Sequence, residues 1–174
     1  MSDGTHDDQA LVSATSGADG IEIVRLFEAP REAVFDAWTR PEGFAAWFGE
    51  HGSSIPLDRA SMDLRPGGAW QAVMLVGDDT ELVFAGSFLE VDPPHHLVMT
   101  VTDRIPTGDE PVDVLTVDLE DLGDGRTRMV FSQRGSTMPA DEYERAMRGW
   151  LIFFERLGEH LATRELKSRH DSAT

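Results

Sequence analysis

The sequence predicts an α+β fold: a curved antiparallel sheet of about seven strands around a long C-terminal helix, with two short helices after the first strand. Three observations predict it. A helical run from Pro139 to about Arg164 carries Tyr143, Met147, Trp150, Phe154, Leu157 and Leu161 at three- and four-residue steps, so one face of it must be buried. Six apolar segments between residues 57 and 134 are mostly joined by short turns, as antiparallel neighbours are. Ahead of them stand one alternating strand and two short helical runs.

In chain order, residues 1–20 are polar, rich in Gly and Asp and without periodicity, and are expected to form a disordered leader. The folded domain is expected over residues 21–164 and a frayed tail over 165–174. Ile21 to Glu28 alternates apolar and polar residues and should form the first strand, at a sheet edge. Pro30 suits a first helical position, and Val34, Phe35 and Trp38 follow as a helical stripe. Thr39-Arg40-Pro41 stops that helix and starts a second, which carries Phe44, Trp47 and Phe48. The Gly- and Ser-rich stretch from Phe48 to Pro56 is expected to be a mobile, lid-like loop.

Strands are then expected at Leu57 to Leu64, Ala69 to Val76, Leu82 to Val91, Leu97 to Asp103, Val112 to Asp121 and Arg126 to Arg134. Arg65-Pro66-Gly67-Gly68, Gly77-Asp78-Asp79 and Gly123-Asp124-Gly125 supply turns, and Pro93-Pro94 separates two further strands. The longer loop from Arg104 to Pro111 is expected to border a pocket mouth. Alternation points Leu115, Val117, Leu119, Thr127, Met129 and Phe131 inwards, whereas both faces of Leu82 to Val91 carry apolar residues, as a bulge would produce. In the final helix, Pro139 marks the start and Asp141 and Glu142 sit near the positive end of the helix dipole. Leu151, Ile152 and Phe153 widen its apolar stripe to almost the full circumference, which predicts an enclosed middle. Gly149 and Gly158 each cost roughly 1 kcal/mol against Ala in a helix interior, so they mark either close approach or retained space.

The length of 174 residues fits one domain with a proper core. The absence of cysteine excludes disulfides, thiolate metal sites and a cysteine nucleophile. The N-terminal stretch has neither a basic region nor an apolar core, and no run is long enough to span a bilayer, so a cytoplasmic protein without membrane insertion is expected. A formal net charge of −17, from 32 acidic and 15 basic residues spread along the chain, argues against nucleic acid as a partner.

The runs APREAVFDAWTRPEGFAAWF at Ala29 to Phe48, MDLRPGGAW at Met62 to Trp70 and AGSFLEVDPPHHLVMT at Ala85 to Thr100, with Gly149-Trp150 ahead of an apolar helix, resemble the heat-shock-protein-90 ATPase activator homologue family. That family belongs to the START-like, SRPBCC superfamily, and the likeness covers about residues 21 to 162. It implies the helix-grip fold, shared with the major birch pollen allergen, and an apolar cavity between the sheet and the C-terminal helix. It also implies ligands and partners that differ widely between members. Binding of a small hydrophobic molecule is the expected function. The alternatives are a cyclase, dehydratase or hydrolase acting on a hydrophobic, polyketide-like substrate, and a module that binds a chaperone and stimulates its ATPase; self-association is a further expected mode of partnering.

Given such a cavity, Trp47, Phe48, Trp70, Met74, Phe84, Met129, Phe131, Trp150, Phe153 and Phe154 are the expected ligand-binding residues, through stacking and burial of area. The plainer reading of aromatics at helical spacing is a packed core. Glu50 and His51, in the Gly-rich loop, are the nearest approach to an acid/base pair. His95 and His96 lack a third ligand at metal spacing, so neither a metal site nor a cofactor is expected. Asp63 and Arg65 share one side of a strand and read as a structural hairpin contact. His6, His160 and His170 suggest no chemistry, and the chain holds no Ser-His-Asp order, phosphate-binding Gly loop or His-Glu metal motif.

Overall fold

In a computed structural model, which describes residues 10–103, 111–135 and 137–173, the chain opens with a hairpin of β1 (Leu11–Gly17) and β2 (Gly20–Phe27). Two helices follow, α1 (Arg31–Thr39) and α2 (Pro41–Trp47). Arg40 separates them in an extended conformation, as the residue before a proline prefers, and Pro41 then starts α2 without losing a hydrogen bond. Their apolar stripes are buried through Val34, Phe35 and Trp38 in α1 and Phe44 and Trp47 in α2.

The chain continues through β3 (Ser53–Ser54), a 3-10 turn at Leu57–Arg59, β4 (Ala60–Met62), β5 (Ala69–Val76), β6 (Thr80–Asp92), β7 (His96–Val101), β8 (Asp113–Asp121) and β9 (Thr127–Arg134). It ends in α3 (Ala140–Ser172). The described strands form one antiparallel sheet of nine, ordered β1-β2-β9-β8-β7-β6-β5-β3, with β4 also paired to β5. The fold is helix-grip: the sheet curves round α3, and α1 and α2 close one end. Inward alternation holds where it was expected, with Leu115, Val117, Leu119, Thr127, Met129 and Phe131 all buried. The register of β6 against β7 shifts between Phe88 and Glu90, which is the bulge that its two apolar faces predict.

Several boundaries differ from expectation. Residues 11–17 of the predicted leader form β1, paired from Leu11↔Arg25 to Gly17↔Gly20 and packed against α3. Its small polar side chains carry little apolar signal, and the strand is held mainly by its ladder with β2. The first predicted strand is therefore interior, and β1 takes the edge. Leu57 to Leu64 is not one strand but a 3-10 turn followed by the three residues of β4. The predicted lid is tied down: Ser53 and Ser54 pair with β5, the Ser53 hydroxyl donates to the Glu50 carbonyl (2.6 Å), and Arg156 Nη1 donates to the same oxygen (2.9 Å). The predicted loop at Arg104 to Pro111 lies, except for Pro111, outside the described residues.

The middle of α3 is not enclosed on all sides, since Ile152 is 36% exposed while Trp150 and Phe154 are buried. The helix lies across the open side of the curved sheet, so its outer face meets solvent. The predicted frayed tail continues as helix to Ser172, because Glu165, Leu166 and Lys167 are good helix formers and Arg169 and His170 suit the negative end of the dipole. Among the described residues no helix is long and apolar enough to cross a membrane.

Candidate functional site

Between the sheet and α3 lies a cavity of about 550 Å³. Its apolar wall is built from three parts of the chain. Phe48 follows α2, Phe84 comes from β6, and Trp150 and Phe153 come from α3. Phe48 is the hub, with ring centroids 5.1 Å from Phe84, 5.1 Å from Phe153 and 5.8 Å from Trp150. Edge-to-face packing holds these rings without filling the space beside them. Val101, Met138 and Ala146 extend the wall. Gly149, one turn of helix beyond Ala146, also lines it, and a Cβ added there would meet nothing within 4 Å.

The polar side of the cavity is formed by Asp113 and Gln133, joined to Trp150 and, behind the lining, to Tyr143. Trp150 Nε1 donates to Gln133 Oε1 (2.6 Å), Gln133 Nε2 donates to Asp113 Oδ2 (2.7 Å), and the Tyr143 hydroxyl donates to Asp113 Oδ1 (2.9 Å). Asp113 and Gln133 are each only 7% exposed, so mutual bonding is what makes their burial tolerable. Sequence reasoning passed over both, although a signal existed. Gln133 continues the inward series of Thr127, Met129 and Phe131, and Asp113 begins the series of Leu115, Val117 and Leu119. Two inward polar residues at the same end of paired strands mark the polar end of a pocket.

Four of the ten predicted ligand residues meet at this cavity: Phe48, Phe84, Trp150 and Phe153. Trp47, Trp70, Met74, Met129, Phe131 and Phe154 are packed in the core instead. There Trp47 Nε1 donates to the Ala37 carbonyl (2.8 Å) and Trp70 Nε1 to the Thr100 carbonyl (2.9 Å). Trp38, absent from the predicted set, packs against both Phe131 and Trp150, with each centroid at 6.1 Å. Periodicity finds the buried face of a helix but does not separate the part against the sheet from the part against a void.

Glu50 and His51 are exposed and do not line the cavity. His96 sits on the outer face of the sheet, with Nδ1 2.6 Å from Asp118 Oδ1 and Nε2 2.7 Å from Glu90 Oε2. The bond to Asp118, then that to Glu90, raises its pKa above the ordinary imidazole value. Among the described residues no group of His, Asp and Glu side chains is arranged to hold a metal ion. Asp63 and Arg65 form an exposed ion pair at 2.9 Å beside the turn into β5, in keeping with a hairpin contact.

Comparison with known proteins agrees with this architecture. A family model described as Activator of Hsp90 ATPase homolog 1-like protein matches residues 28–162. No curated protein matches the chain. Among solved structures, a protein from Arthrobacter aurescens superposes with a TM-score of 0.74 at 23% identity, covering 87% of this chain and 92% of that one. The AHSA1 protein from Silicibacter pomeroyi gives 0.69 at 24% identity, over 82% and 97% of the two chains. CalU16 from Micromonospora echinospora gives 0.59 at 19% identity, over 89% and 88%. Identities this low speak for the fold alone.

Proposed function

The chain belongs to the Activator of Hsp90 ATPase homolog 1-like family, within the START-like superfamily, and from that premise we propose that it binds a small hydrophobic molecule in the cavity between the sheet and α3. The observation that carries this reading is the cavity itself, whose volume of about 550 Å³ lies in the range of small-molecule sites. Its aromatic wall with a few convergent polar groups is also the usual composition of such sites. Gly149 adds support. A glycine inside a helix costs about 1 kcal/mol against alanine, and nothing near this one requires its smallness, so what it preserves is space.

Filling that space tests the reading. Gly149→Leu should leave the protein at least as stable as the parent and abolish binding of the neutral fluorophore N-phenyl-1-naphthylamine, which the parent should bind with a rise in emission. Equal binding by both proteins, or no binding by the parent, would overturn the proposal. The Glu50 and His51 pair lies off the cavity, so it supplies no acid or base to a ligand there.

The family description supports a second reading, stimulation of a chaperone ATPase. That activity would use the outer surface, and Gly149→Leu should not alter it. A steady-state ATPase assay of the host's own Hsp90-type chaperone, with and without this protein, separates the two readings.

A further inference from the structure

We propose that Arg156 sets the rate at which a ligand enters and leaves the cavity, by holding Phe48 closed against α3 through the Glu50 carbonyl. The inference rests on the hydrophobic-ligand reading and adds to it a route and the residue that controls it. Neither Arg156 nor Glu50 lines the cavity, so Arg156 is a positioning residue that acts through Phe48.

Phe48 and Phe153 form one stretch of the cavity wall, with ring centroids 5.1 Å apart, the first from the residue that caps α2 and the second from α3. Arg156 lies three residues beyond Phe153 and so on the same flank of the helix, and Glu50 lies two beyond Phe48. One seam is therefore closed twice: ring against ring at the cavity, and Arg156 Nη1 donating to the Glu50 carbonyl at 2.9 Å outside it. The same carbonyl accepts from the Ser53 hydroxyl at 2.6 Å and from the Ser53 N–H at 3.1 Å, so Arg156 grips the point where the loop is knotted to itself. Gly49 (φ 125°) and Gly52 (φ 86°) flank Glu50 and His51 and give the backbone places to turn.

The strand walls of the cavity open less readily. Phe84, Val101, Asp113 and Gln133 come from β6, β7, β8 and β9, which pair in that order, and paired strands part only when several ladder bonds break together. On the side of β8 and β9, α3 is fastened by buried bonds, Trp150 to Gln133 and Tyr143 to Asp113, and a buried group that loses its partner is left without water to replace it. The Arg156 bond lies at the surface, where water takes the place of either partner. Of these closures the seam between Phe48 and Phe153 is the one that yields first. Each opening admits or releases a ligand, and the bond that closes the seam is the same whether the cavity is empty or filled. Its loss raises the open fraction of both states, so entry and exit accelerate together while the equilibrium affinity stays where it was.

Stopped-flow mixing with N-phenyl-1-naphthylamine gives the entry rate, and rapid dilution of the complex gives the exit rate. Arg156→Met keeps the apolar stem and removes the donor. In it both rates should rise about five- to tenfold, the factor that one ordinary hydrogen bond is worth, with the dissociation constant unchanged. Arg148→Met is the control: it removes the same charge from an exposed position earlier on α3, where Arg148 pairs with Glu144, and it should keep both parental rates. Parental rates in Arg156→Met would overturn the inference while leaving the hydrophobic cavity standing. So would an exit rate that rises alone, with loss of affinity, or an equal rise of both rates in Arg148→Met. A fluorophore that does not bind the parent at all would remove the ligand-binding reading as well.

Discussion

Gly86 and Gly149 both lack a side chain, for opposite reasons. At Gly86, in β6, an added Cβ would lie 1.9 Å from the Thr100 carbonyl oxygen and 2.7 Å from Trp70 Nε1. Trp70 pairs with Gly86 across β5 and β6, and its indole reaches past the glycine to donate to that carbonyl. Gly86→Ala should therefore cost about 1–3 kcal/mol or more, since the obstacle is backbone and a buried indole bond is lost with it. Chemical denaturation measures this directly, and a variant as stable as the parent would show that the close approach is not needed. At Gly149 the surroundings are empty, so alanine there should instead be tolerated or gain up to about 1 kcal/mol. Both glycines stand plainly in the sequence, but their meaning depends on neighbours brought in from β7 and from the far side of a cavity. For the same reason only four of the ten residues named from the sequence line the cavity, and neither Gln133 nor Asp113, which also line it, was among the ten.

Elements were more legible than side chains. Helix α3 was readable because five buried residues, Tyr143, Trp150, Phe154, Leu157 and Leu161, keep one face over five turns, and that repetition outweighs any single exception. Strands β8 and β9 were readable from alternation, but β1 was not, because a strand stabilised by its ladder needs no apolar period. The outer face of the sheet holds a cross-strand clasp that alternation alone does not announce: His96 of β7 between Glu90 of β6 and Asp118 of β8. Because both carboxylates favour the imidazolium, the folded-state pKa is raised above 6.5. The clasp's contribution to stability is then fully present below about pH 6.5 and is lost as pH rises through the raised value. The melting temperature of the parent should exceed that of His96→Gln by a margin that is largest near pH 6 and shrinks towards pH 9. A margin independent of pH would show that the clasp does not titrate. His160 has the opposite sign, its pKa lowered by burial and then by Arg164, so the comparison with His96→Gln is needed to isolate the clasp.

At the scale of the whole molecule, the order of strands and helices and the grip of sheet on helix were predictable, because each depends on many residues agreeing. The cavity was predictable only through family likeness, since a void leaves no periodicity. One feature joins the two levels. The set Trp150, Gln133, Asp113 and Tyr143 includes the cavity's polar lining, backed by Tyr143, and also spans α3, β8 and β9. A ligand pressing on that side would tighten the joint by which the helix is fastened to the sheet. Occupancy should therefore appear in time as well as in affinity: backbone amides of α3 around Tyr143 to Trp150 should exchange with deuterium more slowly when a ligand is bound, while those past Arg164, which lie beyond the joint, should keep their rate. Uniform exchange along the helix, with and without ligand, would mean that cavity and joint act independently.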